Sequence, residues 1–129
     1  MALTKTQRSA LHGKYGGRCA YCGESLGARW HADHVEPVVR QHWLKVPRAP
    51  DYPERDTLEN MNPDCPPCNI DKHSLSLDSW RVNIERSNAM MMRDVSTFRR
   101  AVRYGLVVLN TAPVLFYFER CGGPATAQI

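Results

Sequence analysis

Long hydrophobic runs are missing from this 129-residue chain. Its longest apolar stretches, GLVVL at 105–109 and VLFYF at 114–118, fall far short of the roughly 20 residues a membrane-spanning helix needs. The first ten residues, MALTKTQRSA, lack an apolar core segment. That speaks against a secretory signal and sets the expectation of an intracellular, cytoplasmic protein. Internal repeats and low-complexity segments are missing as well, so no repeat array organises the chain. Acidic side chains are missing from residues 1–23, which carry Lys5, Arg8, Lys14 and Arg18.

The acids sit further along. Residues 24–64 hold eight acidic against five basic side chains, and residues 65–129 hold five against eight. Basic flanks around an acidic middle are suited to holding a polyanion over a cation-binding centre. A formal net charge of +4, with 43% hydrophobic and 23% charged residues, otherwise fits an ordinary soluble domain. The length predicts a single domain over 1–120 with a flexible tail at 121–129.

Cysteine is sparse but patterned. Four of the five form two C-x-x-C pairs, CAYC (Cys19, Cys22) and CPPC (Cys65, Cys68), and Cys121 stands alone. In a reducing compartment this pattern indicates metal rather than disulfides. Four thiolates suit tetrahedral Zn²⁺, and a C-x-x-C turn supplies two ligands with the right bite. Such a closed site has no open position for a substrate, so the zinc is expected to be structural.

Local patterns give the elements. TKTQRSALH predicts a helix opened by a Thr4–Gln7 capping box and ended at Gly16 and Gly17. ARWHADHVE, 28–36, predicts a strand ended by Pro37. Residues 38–58 hold three prolines between scattered charges and read as a long loop with one helical turn, either functional or a solvated insertion packed by Trp43. CPPCNIDKHS opens a helix whose first turn tolerates proline. Apolar spacing predicts a helix carrying Leu77, Trp80 and Ile84 on one face. It predicts another capped by Asp94 and stopped by Gly105, with Val95, Phe98 and Val102 facing inward. GLVVL and PVLFYFE, joined by NTA, read as a C-terminal β-hairpin.

Asp33 and His34 sit oddly in the predicted strand, because aspartate is among the poorest strand formers. Asn60 lies five residues before Cys65. Asn69 directly follows Cys68, and Lys72 comes three later. The segments DHVEP, LENMNPDCPPCNIDK and the upstream CAYC together resemble the HNH endonuclease family, over roughly residues 15–75 of this chain. The resemblance implies an α+β fold built on a ββα-metal (His-Me finger) core, stapled here by the four-cysteine zinc and extended over 76–120 by helices and the hairpin. The third signature position is Asn69, which makes this an H-N-N variant. The resemblance further implies a metal-dependent DNA endonuclease or nickase, leaving 5′-phosphate and 3′-hydroxyl ends.

The residue chemistry is compatible with those roles. Phosphodiester hydrolysis requires a water, a base for its proton and a cation on the leaving oxygen. Mg²⁺ or Mn²⁺ prefers oxygen ligands, which Asp33 and Asn69 offer. The unperturbed imidazole is suited to proton transfer near neutral pH, which makes His34 the candidate base. The expected orienter of its second ring nitrogen is the side-chain oxygen of Asn60. Asp33 and His34 are neighbours, and strand neighbours point to opposite faces, so the strand is expected to twist, bulge or end there. Lys72 and His73 are candidate phosphate contacts, and Arg99, Arg100 and Arg103 candidate duplex contacts. The expected partner is double-stranded DNA. Two other readings fit the cysteines: a non-catalytic zinc-ribbon module that binds DNA or protein, and an HNH component of a phage DNA-packaging machine, in the host cytoplasm.

Overall fold

A computed structural model describes residues 1–39 and 50–121. Residues 40–49 of the predicted loop, with Trp43, and the tail from 122 lie outside the described residues. The described chain orders α1 (Lys5–His12), β1 (His31–His34), two 3₁₀ turns (Pro53–Arg55, Leu58–Asn60), β2 (Met61–Asp64), α2 (Pro66–Lys72), α3 (Leu77–Glu85), α4 (Ser87–Asp94), α5 (Ser96–Arg103) and α6 (Tyr117–Cys121). This is a mixed α+β arrangement. Among the described residues, no helix is long and apolar enough to cross a membrane. The backbone divides into two compact units, one of Met1–Leu77 with the chain from Leu115 onward, the other of Asp78–Val114.

The first unit is built around a two-stranded antiparallel sheet. His31 pairs with Asp64, Ala32 with Pro63, Asp33 with Asn62, and His34 with Met61. α2 follows β2 directly. α1 starts at the expected capping box: Thr4 Oγ1 accepts from the Gln7 amide at 3.1 Å, and Gln7 Oε1 accepts from the Thr4 amide at 2.9 Å. The helix ends earlier than expected, with Gly13 as its cap. Gly16 and Gly17 instead take positive φ in the turn that follows. The apolar core gathers Leu11, Trp30 and Met61, with Leu3, Leu26, Ala32 and Leu58 against them.

The predicted C-terminal hairpin does not form. Its backbone groups have other partners. Val114 donates to Glu85 Oε2 at 2.9 Å and accepts from Arg81 at 2.6 Å. Tyr117 and Phe118 donate to the carbonyls of Tyr21 and Ala20 in the first cysteine turn, at 3.0 and 2.7 Å. Leu106 and Val108 are left 82% and 87% exposed. Residues 117–121 close as a short helix, and Phe116 stacks with Phe118 around Tyr21.

Gly23 is where this attachment is tightest. Its φ is +80°, and a Cβ there would stand 2.9 Å from Cδ1 of Tyr117. Gly23→Ala is therefore expected to lose about 2–3 kcal/mol, from left-handed backbone plus overpacking. Gly16→Ala, at φ +68° with nothing near the new methyl, should lose only the backbone share, about 1–2 kcal/mol. Urea denaturation of the two variants checks the difference.

The second unit carries α4 and α5 packed on each other. α3 buries Trp80, with Leu77 and Ile84 half-buried, as its periodicity predicts. Phe98 and Val102 are half-buried on α5, but Val95 is exposed. The expected cap, Asp94, instead closes α4 and pairs with Arg93 at 2.8 Å, and Val95 takes the N-cap position of α5.

Candidate functional site

The two C-x-x-C pairs come together. The Sγ atoms of Cys19, Cys22, Cys65 and Cys68 lie within 4.8 Å of one another. The turn at 19–22 is placed by Ala20 N–H donating to the Pro63 carbonyl at 2.9 Å, and the second pair by α2, whose N-cap is Cys65. A tetrahedron with metal–sulfur bonds of about 2.3 Å has edges of about 3.8 Å, and Cys22 and Cys65 are 3.8 Å apart. The amides of Tyr21 and Cys65 both donate to Cys19 Sγ at 3.4 Å. The hydrogen bond from Cys68, helped by those amides against burial, holds the Cys19 thiol down at about 4. Burial pushes Cys22 up to about 11, and the Cys19 sulfur raises Cys68. One thiolate is thus already favoured in a nest of four, and the cluster could hold a metal such as zinc.

β1 delivers Asp33 and His34 to different surroundings. Strand alternation holds: Asp33 is buried and shares its face with its partner Asn62, while His34 shares the other with Met61. Asp33 Oδ2 accepts from the Tyr21 hydroxyl at 2.6 Å and pairs with Lys72 Nζ at 3.1 Å. Burial pushes its carboxyl up, against the pull of Lys72 and Tyr21. His34 Nε2 lies 2.9 Å from Asp56 Oδ1, and Asp56 Oδ2 holds the Met1 amine at 2.6 Å. The strand stops at His34, where Val35 N–H turns to the Asn60 carbonyl at 2.8 Å.

A cleft of about 500 Å³ opens beside these residues. Asp33 and His34 line it from β1, Asn69 and His73 from α2 and its end, and Pro37 and Val38 from the loop. The structure thus brings Asp33, His34, Asn69 and His73 to one cleft. The Asn69 carboxamide has no protein partner among the described residues, nor does Asp33 Oδ1. His73 caps α2 at φ 58°, ψ −132°, a costly backbone state for a non-glycine residue.

Other expected residues are placed differently. Asn60 does not reach the imidazole: its Oδ1 accepts from Glu36 N–H at 3.0 Å, and its Nδ2 donates to the carbonyls of Glu36 and Arg55 at 2.9 and 2.8 Å. It fastens the chain after β1 to the turn before β2. Lys72 is not a surface phosphate contact. It is 0% exposed, with its ammonium on Asp33 and on the His34 carbonyl at 3.0 Å. Arg99 caps the carbonyls of Met92 and Arg93 at the end of α4, at 2.8 and 2.9 Å. Arg100 and Arg103 are exposed on α5 in the second unit.

Sequence reasoning missed three residues. Tyr21, inside the CAYC turn, anchors Asp33. Asp56 holds His34. Asp64 is fully buried beside Asp33 and Cys19, with neither carboxylate oxygen paired. Burial first, then those two neighbours, push its carboxyl up to about 8. No spacing pattern signals any of the three.

Removing one member of the buried Lys72–Asp33 pair leaves the other charge stranded. Lys72→Met is expected to lose about 3–5 kcal/mol for that reason, measured by urea denaturation of the metal-loaded protein. A surface phosphate contact would lose almost nothing.

Comparison with protein-family models, with curated proteins and with solved structures gives no match for this chain.

Proposed function

We propose that this protein is a divalent-metal-dependent DNA endonuclease or nickase of the HNH type, with β1, β2 and α2 as its ββα-metal core and the four cysteines as a structural zinc site. The observation that carries the reading is the meeting of Asp33, His34 and Asn69 on one cleft, with Asn69 next in the chain to Cys68 of the cysteine cluster.

The donor set at the cleft fits a hard divalent ion. Asp33 Oδ1 and the Asn69 carboxamide oxygen are both oxygens without protein partners among the described residues, and oxygen ligands are what Mg²⁺ or Mn²⁺ prefers. Bound there, such an ion would supply charge stabilisation to the phosphate oxygens. His34 takes the proton of a water as that water's oxygen forms a bond to phosphorus. The P–O3′ bond breaks, and the leaving oxygen collects a proton from solvent to become a hydroxyl. Tyr21 and Lys72 keep the Asp33 carboxylate in one orientation. Asn60 holds the backbone on which His34 sits. The exposed Arg100 and Arg103, with His73, are candidate contacts to the DNA backbone.

Incubation of supercoiled plasmid with the protein and Mn²⁺ or Mg²⁺ tests the reading. Relaxed or linear product is expected, and none when EDTA replaces the ion.

One observation favours the rival, a zinc module without catalysis: Asp33 Oδ2 is already taken by Lys72 and Tyr21. A titration separates the two readings. The nuclease binds Mn²⁺ weakly in addition to its tightly held zinc, and Asp33→Asn removes that second event. The zinc module binds zinc alone.

A further inference from the structure

We infer that Asp56 is the positioning residue for His34: it fixes the imidazole in the tautomer that carries its proton on Nε2 and leaves Nδ1 as the atom that receives the proton of the attacking water. The inference rests on the nuclease reading for its catalytic consequence, though not for the tautomer itself.

The geometry is direct. Asp56 Oδ1 and His34 Nε2 are 2.9 Å apart, with the two side chains 31% and 26% exposed. An ionised carboxylate only accepts hydrogen bonds, so a neutral imidazole bonded to it must donate, and Nε2 bears the hydrogen. The carboxyl of Asp56 is held below its ordinary range, first by the Met1 amine and then by His34, so it is ionised at neutral pH. Nδ1 has no protein partner among the described residues.

The carboxylate itself is held in place. Its second oxygen is on the Met1 amine at 2.6 Å. The 3₁₀ turn Pro53–Arg55 runs into it, and Asp56 N–H returns to the Pro53 carbonyl at 3.1 Å. Asn60 ties the same turn to the end of β1 through Arg55 and Glu36. Asn60 therefore acts on the imidazole at one remove, by setting where Asp56 stands. A base must be oriented as well as present, because the two ring nitrogens are not equivalent and the bond at one decides what the other can do.

Long-range ¹H–¹⁵N NMR of the zinc-loaded protein reads the tautomer, with the His34 ring assigned by its loss in His34→Ala. The wild type is expected to show the Nε2–H form, and Asp56→Ala a mixture. In plasmid nicking with Mn²⁺, Asp56→Ala should lower kcat about 10–100-fold with KM little changed. Asp56→Asn, whose carboxamide oxygen still accepts from Nε2–H, should recover most of that loss. A wild-type His34 protonated on Nδ1 overturns the inference, whatever the variants do. So does a wild type that cleaves while a folded Asp56→Ala cleaves equally fast; that result leaves the nuclease reading intact. A wild type that cleaves nothing, with His34 on the Nε2–H tautomer, defeats the nuclease reading and with it this catalytic role.

Discussion

His34→Ala is expected to lower metal-dependent nicking of supercoiled plasmid by about 10²–10⁴-fold, the usual worth of a positioned general base. The loss should fall on kcat, because alanine removes the proton acceptor and leaves the cleft walls from Asp33 and Asn69 in place. Stability should change little: the imidazole is partly exposed, and its partner Asp56 keeps the Met1 amine. A variant with the wild-type melting temperature and zinc content but no nicking supports the assignment. Equal cleavage by the two proteins, purified side by side, would mean that the activity belongs to another group or to a contaminant.

Stripping metal from the four-cysteine cluster, which could hold an ion such as zinc, is expected to have the largest effect on the fold. Structural zinc supplies about 10–16 kcal/mol of apparent folding free energy in small zinc domains, as much as the roughly 5–15 kcal/mol by which whole domains are stable. The cluster joins the turn at 19–22, on which Phe116, Tyr117 and Phe118 rest, to the start of α2, which carries Asn69. The apolar core of the first unit is small, with Leu11, Trp30 and Met61 at its centre. Chelation, or Cys68→Ser, is therefore expected to abolish cooperative unfolding of that unit. Circular dichroism melts alongside a colorimetric zinc assay check this, with one zinc per chain expected in the wild type. A melting curve unmoved by complete zinc removal would show that the clamp is dispensable.

The two effects separate the roles of the two kinds of residue. Without the clamp, β1 and α2 lose their common anchor and the cleft loses its walls. Without the His34 imidazole, the cleft persists but lacks the side chain proposed as its base.

The sequence by itself determined whatever depends on local chemistry and short spacing. The Thr4–Gln7 capping box, the helix opened by Pro66 and Pro67 and the pairing of Cys19-x-x-Cys22 with Cys65-x-x-Cys68 were all legible, because each is set within a few residues or by ligand type; the strand expected over 28–36 forms only over His31–His34. The convergence of Asp33, His34 and Asn69 was legible only through a pattern of motifs. Tertiary structure alone decided which partner each long-range polar group would take. Lys72 turned inward because Asp33, buried by Tyr21 and α2, needed a countercharge. Asn60 closed on backbone groups because Glu36 and Arg55 offered a donor and acceptors at the end of the strand. Asp56 reached His34 from 22 residues away. Val114 and Tyr117 left their predicted hairpin because Glu85, Arg81 and the first cysteine turn held stronger claims on the same hydrogen bonds. Strand propensity describes what a segment prefers when nothing else competes for its backbone, and here three-dimensional neighbours competed and won.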